Sequence, residues 1–193
     1  AMLRDIVLTV FVFSLLPVAL VRPDVGILLW TWFGLMNPHK MTWDFAYDFQ
    51  YAVFIGGVTI ISILFTREPK RLPLSAPVVA LIMWVLWMTV TTFAFSLWPE
   101  FAKPQWEKVI KIQLFIFLTM MVMQSEKRIR SLVLVATLSI AYFGIKGGVY
   151  TIAKGGGGMV LGPDGGFISG NTEIATALVV TLAGVGVLAS VAL

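Results

Sequence analysis

Long apolar runs separated by short charged or Pro/Gly-rich stretches constrain this chain more than any other feature. A helix needs about 20 apolar residues to cross a bilayer. With 59% hydrophobic and 12% charged residues among its 193, the chain lies outside the usual balance of a soluble domain. The pattern predicts an all-α, polytopic transmembrane bundle of about six to seven membrane segments, forming one domain over 1–193. The apolar runs are 6–21, 25–36, 49–65, 78–98, 109–124, 131–147 and 173–193.

The first two runs leave two topologies open. Run 25–36 is too short to cross alone, and Pro17, Pro23 and Gly26 lie in or beside the first two runs. Because proline removes a helical hydrogen bond, residues 6–36 form either two crossings or a kinked or re-entrant hairpin. More membrane segments follow at once, so this N-terminal stretch is interpreted as a signal anchor rather than a removable signal peptide.

The basic residues indicate orientation, because cytoplasmic loops are enriched in Lys and Arg. Two dense clusters in short loops, together with Arg22, favour the cytoplasmic side, although the count is seven on each side. Loops 37–48, 99–108 and 148–172 then face outward together. The N-terminus lies outside if all segments cross, and inside if 6–36 crosses once. The inner set is Arg22, Arg67, Lys70, Arg71, Lys127, Arg128 and Arg130, and the outer set is Arg4, Lys40, Lys103, Lys108, Lys111, Lys146 and Lys154.

A glycine-rich loop, "KGGGGMVLGPDGGFISG", precedes the last apolar run. Such a backbone ends a helix and can approach other groups closely. It is interpreted either as a flexible connector or as part of a ligand site. Asn171 is predicted to be the N-cap of the last helix, with Glu173 in its first turn. A helix N-terminus behind glycines can also bind an anion such as a phosphate.

Three lysines are candidates for binding a lipid phosphate. Lys108 and Lys111 share one helix face in "KPQWEKVIKIQ", which indicates either interfacial anchoring or a cationic rim for a lipid-linked phosphate. Lys146, in "AYFGIKGGVY", either extends to the headgroups or points into a cavity between helices, where a charge would mark function.

The sequence offers little for cofactor chemistry. It has no cysteine and a single histidine, His39, within the aromatic-rich stretch 30–49. Neither a multi-histidine metal site nor a serine triad can be assembled from this set. No nucleotide-binding fingerprint occurs. We therefore expect no metal, no cofactor and no nucleic-acid partner, and we attribute the net charge of +4 to topology and lipid headgroups.

Several blocks together carry a resemblance to a known family. They are "RDIVLTVFVFSLLPVALVRPDVGILLWTWFGLMNPHKMTWDFAYDF", "REPKRLPLS", "KPQWEKVIKIQLFIFLTMM", "YFGIKGGVYTI" and "GPDGGFISGNTEIATAL". Over essentially its whole length the chain resembles the N-terminal half of the O-glycosylation ligases associated with exosortase systems. Those enzymes belong to the O-antigen ligase and polymerase superfamily of the bacterial inner membrane.

The resemblance implies transfer of a glycan from an undecaprenyl-pyrophosphate carrier to an acceptor at the outer face of that membrane. It implies that the loops carrying Lys108, Lys111, Lys146, Asn171 and Glu173 border the lipid-phosphate site. Members of the family are about twice as long, and their second half carries the arginine and histidine residues assigned to chemistry. The chain is therefore expected to be the front portion of such an enzyme and not a competent ligase alone.

A second hypothesis belongs to another class. A multi-span accessory subunit would pack against other membrane subunits of a larger complex without catalysing a reaction. Gly184 and Gly186 give the last helix a small-residue face suited to close helix contact. A transporter is the remaining option, but no inverted repeat or charged helix interior favours it.

Overall fold

The computed structural model describes residues 2–68, 70–166 and 168–192. Every regular element within these ranges is helical, which confirms the all-α prediction. A 3₁₀ helix, Pro38–Met41, lies between the second and third α-helices. The α-helices are α1 (Met2–Val21), α2 (Pro23–Met36), α3 (Phe45–Asp48), α4 (Tyr51–Phe65), α5 (Ala76–Ala94), α6 (Pro99–Val122), α7 (Glu126–Ala153) and α8 (Asn171–Ala192).

The chain divides into two compact units. The first contains Ala1–Thr66 and Ser125–Leu193, and the second contains Arg67–Gln124. The first unit is therefore built from two separated stretches of sequence, with the second unit inserted between them. The prediction of a single domain over 1–193 stays a prediction.

Among the described residues, three helices are long and apolar enough to cross a membrane, namely α1, α5 and α7, which is compatible with the predicted membrane protein. The number is lower than the predicted six to seven. Helices α2 and α4 have only 14 and 15 residues, about 21–23 Å at 1.5 Å per residue, against a hydrocarbon core of about 30 Å. Helix α6 carries five charged residues, all between Glu100 and Lys111.

Helices α1 and α2 form an antiparallel pair. Helix α1 runs through Pro17 without ending there, and the chain breaks at Arg22, whose backbone is extended. Arg4, near the start of α1, lines the same cavity as Asn37, directly after α2. Both ends of this pair therefore lie at one end of the first unit.

The opposite end of the first unit is fixed by a buried carboxylate. Asp24 is 5% exposed and lies 2.8 Å from an Arg22 nitrogen and 3.8 Å from an Arg128 nitrogen. Ser125 caps α7 here, accepting a hydrogen bond from the Arg128 backbone N–H. Burial of a charge is tolerated when it is paired. Two members of the predicted inner set of basic residues thus meet at this end.

The core of the first unit has two clusters. Residues from α1, α2, α3 and α4 form the larger one, and residues from α7 and α8 form the other. Helices α7 and α8 are antiparallel, because Gly144 faces Leu178 whereas Gly184 faces Val133 and Thr137. The larger cluster comprises Val12, Ala19, Leu29, Phe33, Ala46, Tyr51 and Ile55, and the smaller comprises Ile140, Phe143 and Ile174.

The predicted helix-packing glycines have different surroundings. A Cβ on Gly184 would lie 3.4 Å from the Val133 side chain, so this residue packs within its own chain. A Cβ on Gly186 would meet no atom within 4 Å among the described residues. Of these two glycines, Gly186 therefore has open space beside it among the described residues, and Gly184 does not.

The second unit is a helical hairpin of α5 and α6. The indole N–H of Trp106 on α6 donates a hydrogen bond to the Thr89 hydroxyl on α5 at 3.1 Å. Phe93 packs edge-on against the same indole, with ring centroids 4.9 Å apart. Aromatic residues whose polar atoms find a partner are typical of membrane interfaces.

Candidate anion-binding site

A cavity of about 540 Å³ opens at the end of the first unit where α1 begins and α2 ends. Four segments form its wall: the start of α1, the loop after α2, the last part of α7 and the glycine-rich loop. Its lining residues are Arg4, Met36, Asn37, Lys40, Met41, Thr42, Trp43, Tyr47, Tyr142, Phe143, Lys146, Gly162, Pro163 and Asp164.

Three cationic side chains from distant parts of the sequence converge on this cavity, namely Arg4, Lys40 and Lys146. Lys40 is held in place, since its ammonium lies 3.0 Å from the Tyr47 carbonyl oxygen and 3.9 Å from the Tyr47 ring centroid. Arg4 and Lys146 are exposed, and neither forms an ion pair with any residue that the structure describes. The wall carries these three cations against one carboxylate, Asp164, and a net positive cavity favours an anionic ligand.

Asn37 joins two walls of the cavity. It is the one non-glycine residue with positive φ (46°) in the described ranges, a conformation that asparagine tolerates better than most residues. This turn ends α2 with a hydrogen bond from the Asn37 N–H to the Phe33 carbonyl. The side-chain amide then donates to the Asp164 carbonyl oxygen at 3.2 Å. The loop after α2 and the glycine-rich loop are therefore clamped together.

The glycine-rich loop folds back onto α7, so it is more than a flexible connector. Val160 packs so closely on Gly147 that a Cβ there would overlap its side chain. The Gly162 N–H donates to the Ser169 carbonyl at 3.0 Å. This path places Asp164 at the cavity wall.

The structure separates the predicted site residues. Lys146 lines the cavity. Lys108 and Lys111 are exposed on α6 in the second unit. Asn171 and Glu173 are exposed at the start of α8 and are absent from the cavity wall.

The predicted capping role of Asn171 is wrong by one residue. Helix α8 begins at Asn171, and the Ile174 N–H donates to the Gly170 carbonyl at 3.1 Å. That bond makes Gly170 the N-cap. The Glu173 carboxylate folds back against Gly170, where a Cβ would overlap it. The Glu173 carboxylate therefore occupies the N-terminus of α8, where an external anion would otherwise bind.

Arg4 and Lys40 were not singled out by sequence reasoning as site residues. The indication available for them was the predicted membrane orientation, which places both residues in the outer set together with Lys146. Lying on the same side of the membrane does not fix the distances between side chains. Only the fold shows that Arg4, Lys40 and Lys146 meet at one cavity.

His39 belongs to the aromatic wall behind the cavity. Its ring stacks on Phe33, with centroids 5.9 Å apart and an interplanar angle of 14°. Burial, and secondarily the charge of Lys40, lower the pKa of His39 below its usual 6.5. The histidine is therefore held in its neutral form by its surroundings.

We expect this histidine to make the fold less stable in acid. The unfolded chain takes up a proton as pH falls through about 6.5, whereas the folded chain resists it, so stability is lost below that pH. His39→Phe should remove this part of the loss. Thermal unfolding in detergent between about pH 7.5 and pH 5 measures it, and parallel curves for the variant and the wild type would contradict the assignment.

An apolar groove adjoins the cavity. It has a volume of about 410 Å³ and lies between α1, α2 and α7. Met36 lines both the groove and the cavity, so the two spaces share a wall. The groove is lined by Phe11, Leu15, Val25, Leu28, Leu29, Trp32, Met36, Val135, Leu138 and Ser139.

Comparisons with known proteins add a family. Residues 3–188 match a family described as "Family of unknown function (DUF5935)". No curated protein matches the chain, and no solved structure does. Over the ranges that the structure describes, no three His, Cys, Asp or Glu residues come together as a metal site would require.

Proposed function

The chain belongs to the DUF5935 family, and from its geometry we propose that it binds the phosphate or pyrophosphate headgroup of a membrane lipid. The observation that carries the proposal is the convergence of Arg4, Lys40 and Lys146 on one cavity. Arginine and lysine are the usual partners of phosphate oxygens. Arg4 and Lys146 have no ion pair among the residues that the structure describes, so an anion from outside the chain would neutralise them.

The proposed setting is the bacterial inner membrane, with seven helices as membrane segments: α1, α2, α4, α5, α6, α7 and α8. Short α2 is antiparallel to α1, and α4 packs against both, so these helices share the depth of α1. Short spans are accommodated by local thinning or by flanking residues that reach the interface. The cavity then faces outward, and the Asp24 ion pairs face the cytoplasm.

The apolar groove supports a lipid as the anion's source. A phosphate on a hydrocarbon chain would place its head among the cations and its chain along the groove past Met36. Burying apolar surface stabilises such a complex by roughly 25 cal/mol per Å². A free phosphate ion would gain nothing from the groove.

In this proposal the chain is the N-terminal portion of an O-antigen-ligase-like glycosyltransferase that uses an undecaprenyl-pyrophosphate carrier. An acceptor hydroxyl oxygen attacks the anomeric carbon, and the bond from that carbon to the pyrophosphate oxygen breaks. The pyrophosphate keeps the electron pair, and a general base takes the hydroxyl proton. The cations of the cavity stabilise the charge that develops on the departing pyrophosphate.

The direct test is a lipid-binding measurement on the full chain in nanodiscs. Native mass spectrometry would compare undecaprenyl pyrophosphate with phosphatidylethanolamine, a zwitterionic lipid of the same membrane class. We expect the pyrophosphate lipid to bind at least about tenfold more tightly, which is 1.4 kcal/mol. Equal binding of the two lipids would overturn the proposal.

A bulky residue in the groove should shorten the chain that the site accepts. Leu138 lines the groove and is 60% exposed, so Leu138→Trp would fill part of it. We expect the affinity for undecaprenyl pyrophosphate to fall about tenfold, while a short-chain pyrophosphate analogue binds as before. Leu134→Trp, one turn earlier on α7 and not part of the groove wall, is the matched control. Equal losses of affinity for undecaprenyl pyrophosphate and for the short-chain analogue would assign the effect to the headgroup cavity instead.

A further inference from the structure

Asp5 is a carboxylate wholly buried in the first turn of α1, at 0% exposure. Its Oδ1 accepts two backbone hydrogen bonds from a distant segment, from the Asp44 N–H at 3.2 Å and the Ala46 N–H at 3.1 Å. Its Oδ2 has no hydrogen-bond partner among the described residues. Removing a carboxylate from water costs free energy, so the burial of Asp5 needs a structural explanation.

The two N–H groups belong to the start of α3, which has only four residues. A helix this short does not hold itself together, because a single turn costs more conformational freedom than its hydrogen bonds return. The Asp44 side chain makes no cap bond at this end. Asp5 therefore supplies from α1 the acceptor that α3 lacks locally.

Helix α3 in turn holds a large part of the cavity wall. Tyr47 on α3 lines the cavity, and its carbonyl and ring fix Lys40. Asp48, also on α3, lies 3.7 Å from the same ammonium. Helix α3 ends the segment 37–48, which lines the cavity with Asn37, Lys40, Met41, Thr42, Trp43 and Tyr47.

We propose that Asp5 is the positioning residue of the anion site, which fixes the segment 37–48 so that Lys40 faces the lipid phosphate. This inference rests on the proposed function for its ligand, but its geometry does not. Arg4 enters the cavity directly, and its neighbour Asp5 acts from behind the wall. The first turn of α1 thus provides Arg4, which binds the ligand, and Asp5, which supports the segment that carries Lys40.

The wild-type chain has no cysteine, so spin labels can report the position of the segment. Cysteines replacing Phe45 on α3 and Val149 on α7, which are 50% and 64% exposed, lie outside the cavity wall. The inter-label distance distribution should be narrow in the parent and in Asp5→Asn, because the amide oxygen still accepts both N–H groups. It should broaden in Asp5→Ala, and Asp5→Ser gives the same readout if the alanine variant does not fold.

Binding of undecaprenyl pyrophosphate is measured on the same variants. We expect at least about a fivefold loss for Asp5→Ala and little change for Asp5→Asn. Thr9→Val is the control, since it removes the Thr9 hydroxyl, which hydrogen-bonds the Tyr51 hydroxyl and the Asp5 backbone carbonyl, and leaves the Asp5 side chain in place as the cap of α3. An unchanged distance distribution in Asp5→Ala overturns the proposal, as does a broadened one with unchanged affinity. If the parent binds no pyrophosphate lipid, the proposed function fails, while the label distances still decide whether Asp5 positions the segment.

Discussion

Replacing Arg4 and Lys146 together by alanine is expected to weaken binding of undecaprenyl pyrophosphate by about a hundredfold or more. Both side chains line the cavity. Hydrogen bonds to charged groups contribute roughly 1.5–3 kcal/mol each, and every 1.4 kcal/mol is about tenfold in affinity. Each single variant should lose about tenfold. The lipid titration in nanodiscs measures all three.

The control for these variants is Lys127→Ala. Lys127 lies on the same helix as Lys146 but in its first turn, and it is exposed. Lys127→Ala removes one positive charge, as Lys146→Ala does, but at the other end of α7. A general attraction between an anionic lipid and a basic protein would weaken in this variant as well. A loss of similar size in Lys127→Ala would contradict a specific cavity. Lys108→Ala and Lys111→Ala, measured alongside, test whether α6 contributes to the same site.

Gly147→Ala is expected to destabilise the first unit by about 1–3 kcal/mol, as overpacked cores do. Its Cβ would overlap the Val160 side chain, which pins the glycine-rich loop to α7. Either the loop or the helix must move. Thermal unfolding in detergent should show a lower midpoint. Because the displaced loop carries the Asp164 carbonyl oxygen to which the Asn37 amide donates, the two loops of the cavity wall should separate, and a loss of lipid affinity should accompany the lower midpoint.

The adjacent residue offers a matched control. A Cβ on Gly148 would meet nothing within 4 Å, and alanine is favoured over glycine inside a helix by about 1 kcal/mol. Gly148→Ala should therefore be neutral or stabilising. If Gly147→Ala also stabilises the protein, helix propensity outweighs the contact, and the loop is not held at that point.

The sequence predicted Lys146 better than it predicted the rest of the site. A lysine between an apolar run and two glycines is marked by its own neighbours, because a charge at that depth needs either headgroups or a cavity. Arg4 and Lys40 have no such local mark. They lie at a helix start and in a short 3₁₀ helix. The antiparallel course of α1 and α2 brings these two together, and the packing of α7 against α2 adds Lys146.

Two further differences from the sequence prediction have physical causes, one local and one long-range. Asn171 has the residue type of an N-cap, but the hydrogen bond of Ile174 assigns that position to Gly170. Asp5 was overlooked because an acidic residue in a first turn is already favoured by the helix dipole. Nothing in its neighbours shows that it accepts hydrogen bonds from residues 39 and 41 positions away.

The hydrogen bond from Asn37 to Asp164 has a consequence for biosynthesis. It joins residues 127 positions apart, across an inserted unit that spans Arg67–Gln124. At roughly 5–20 residues per second, these 127 residues take the ribosome about 6–25 s to make. Until then the loop after α2 lacks the carbonyl oxygen to which Asn37 donates. The wall of the cavity can therefore close only after both sequence stretches of the first unit and the whole inserted unit have been synthesised.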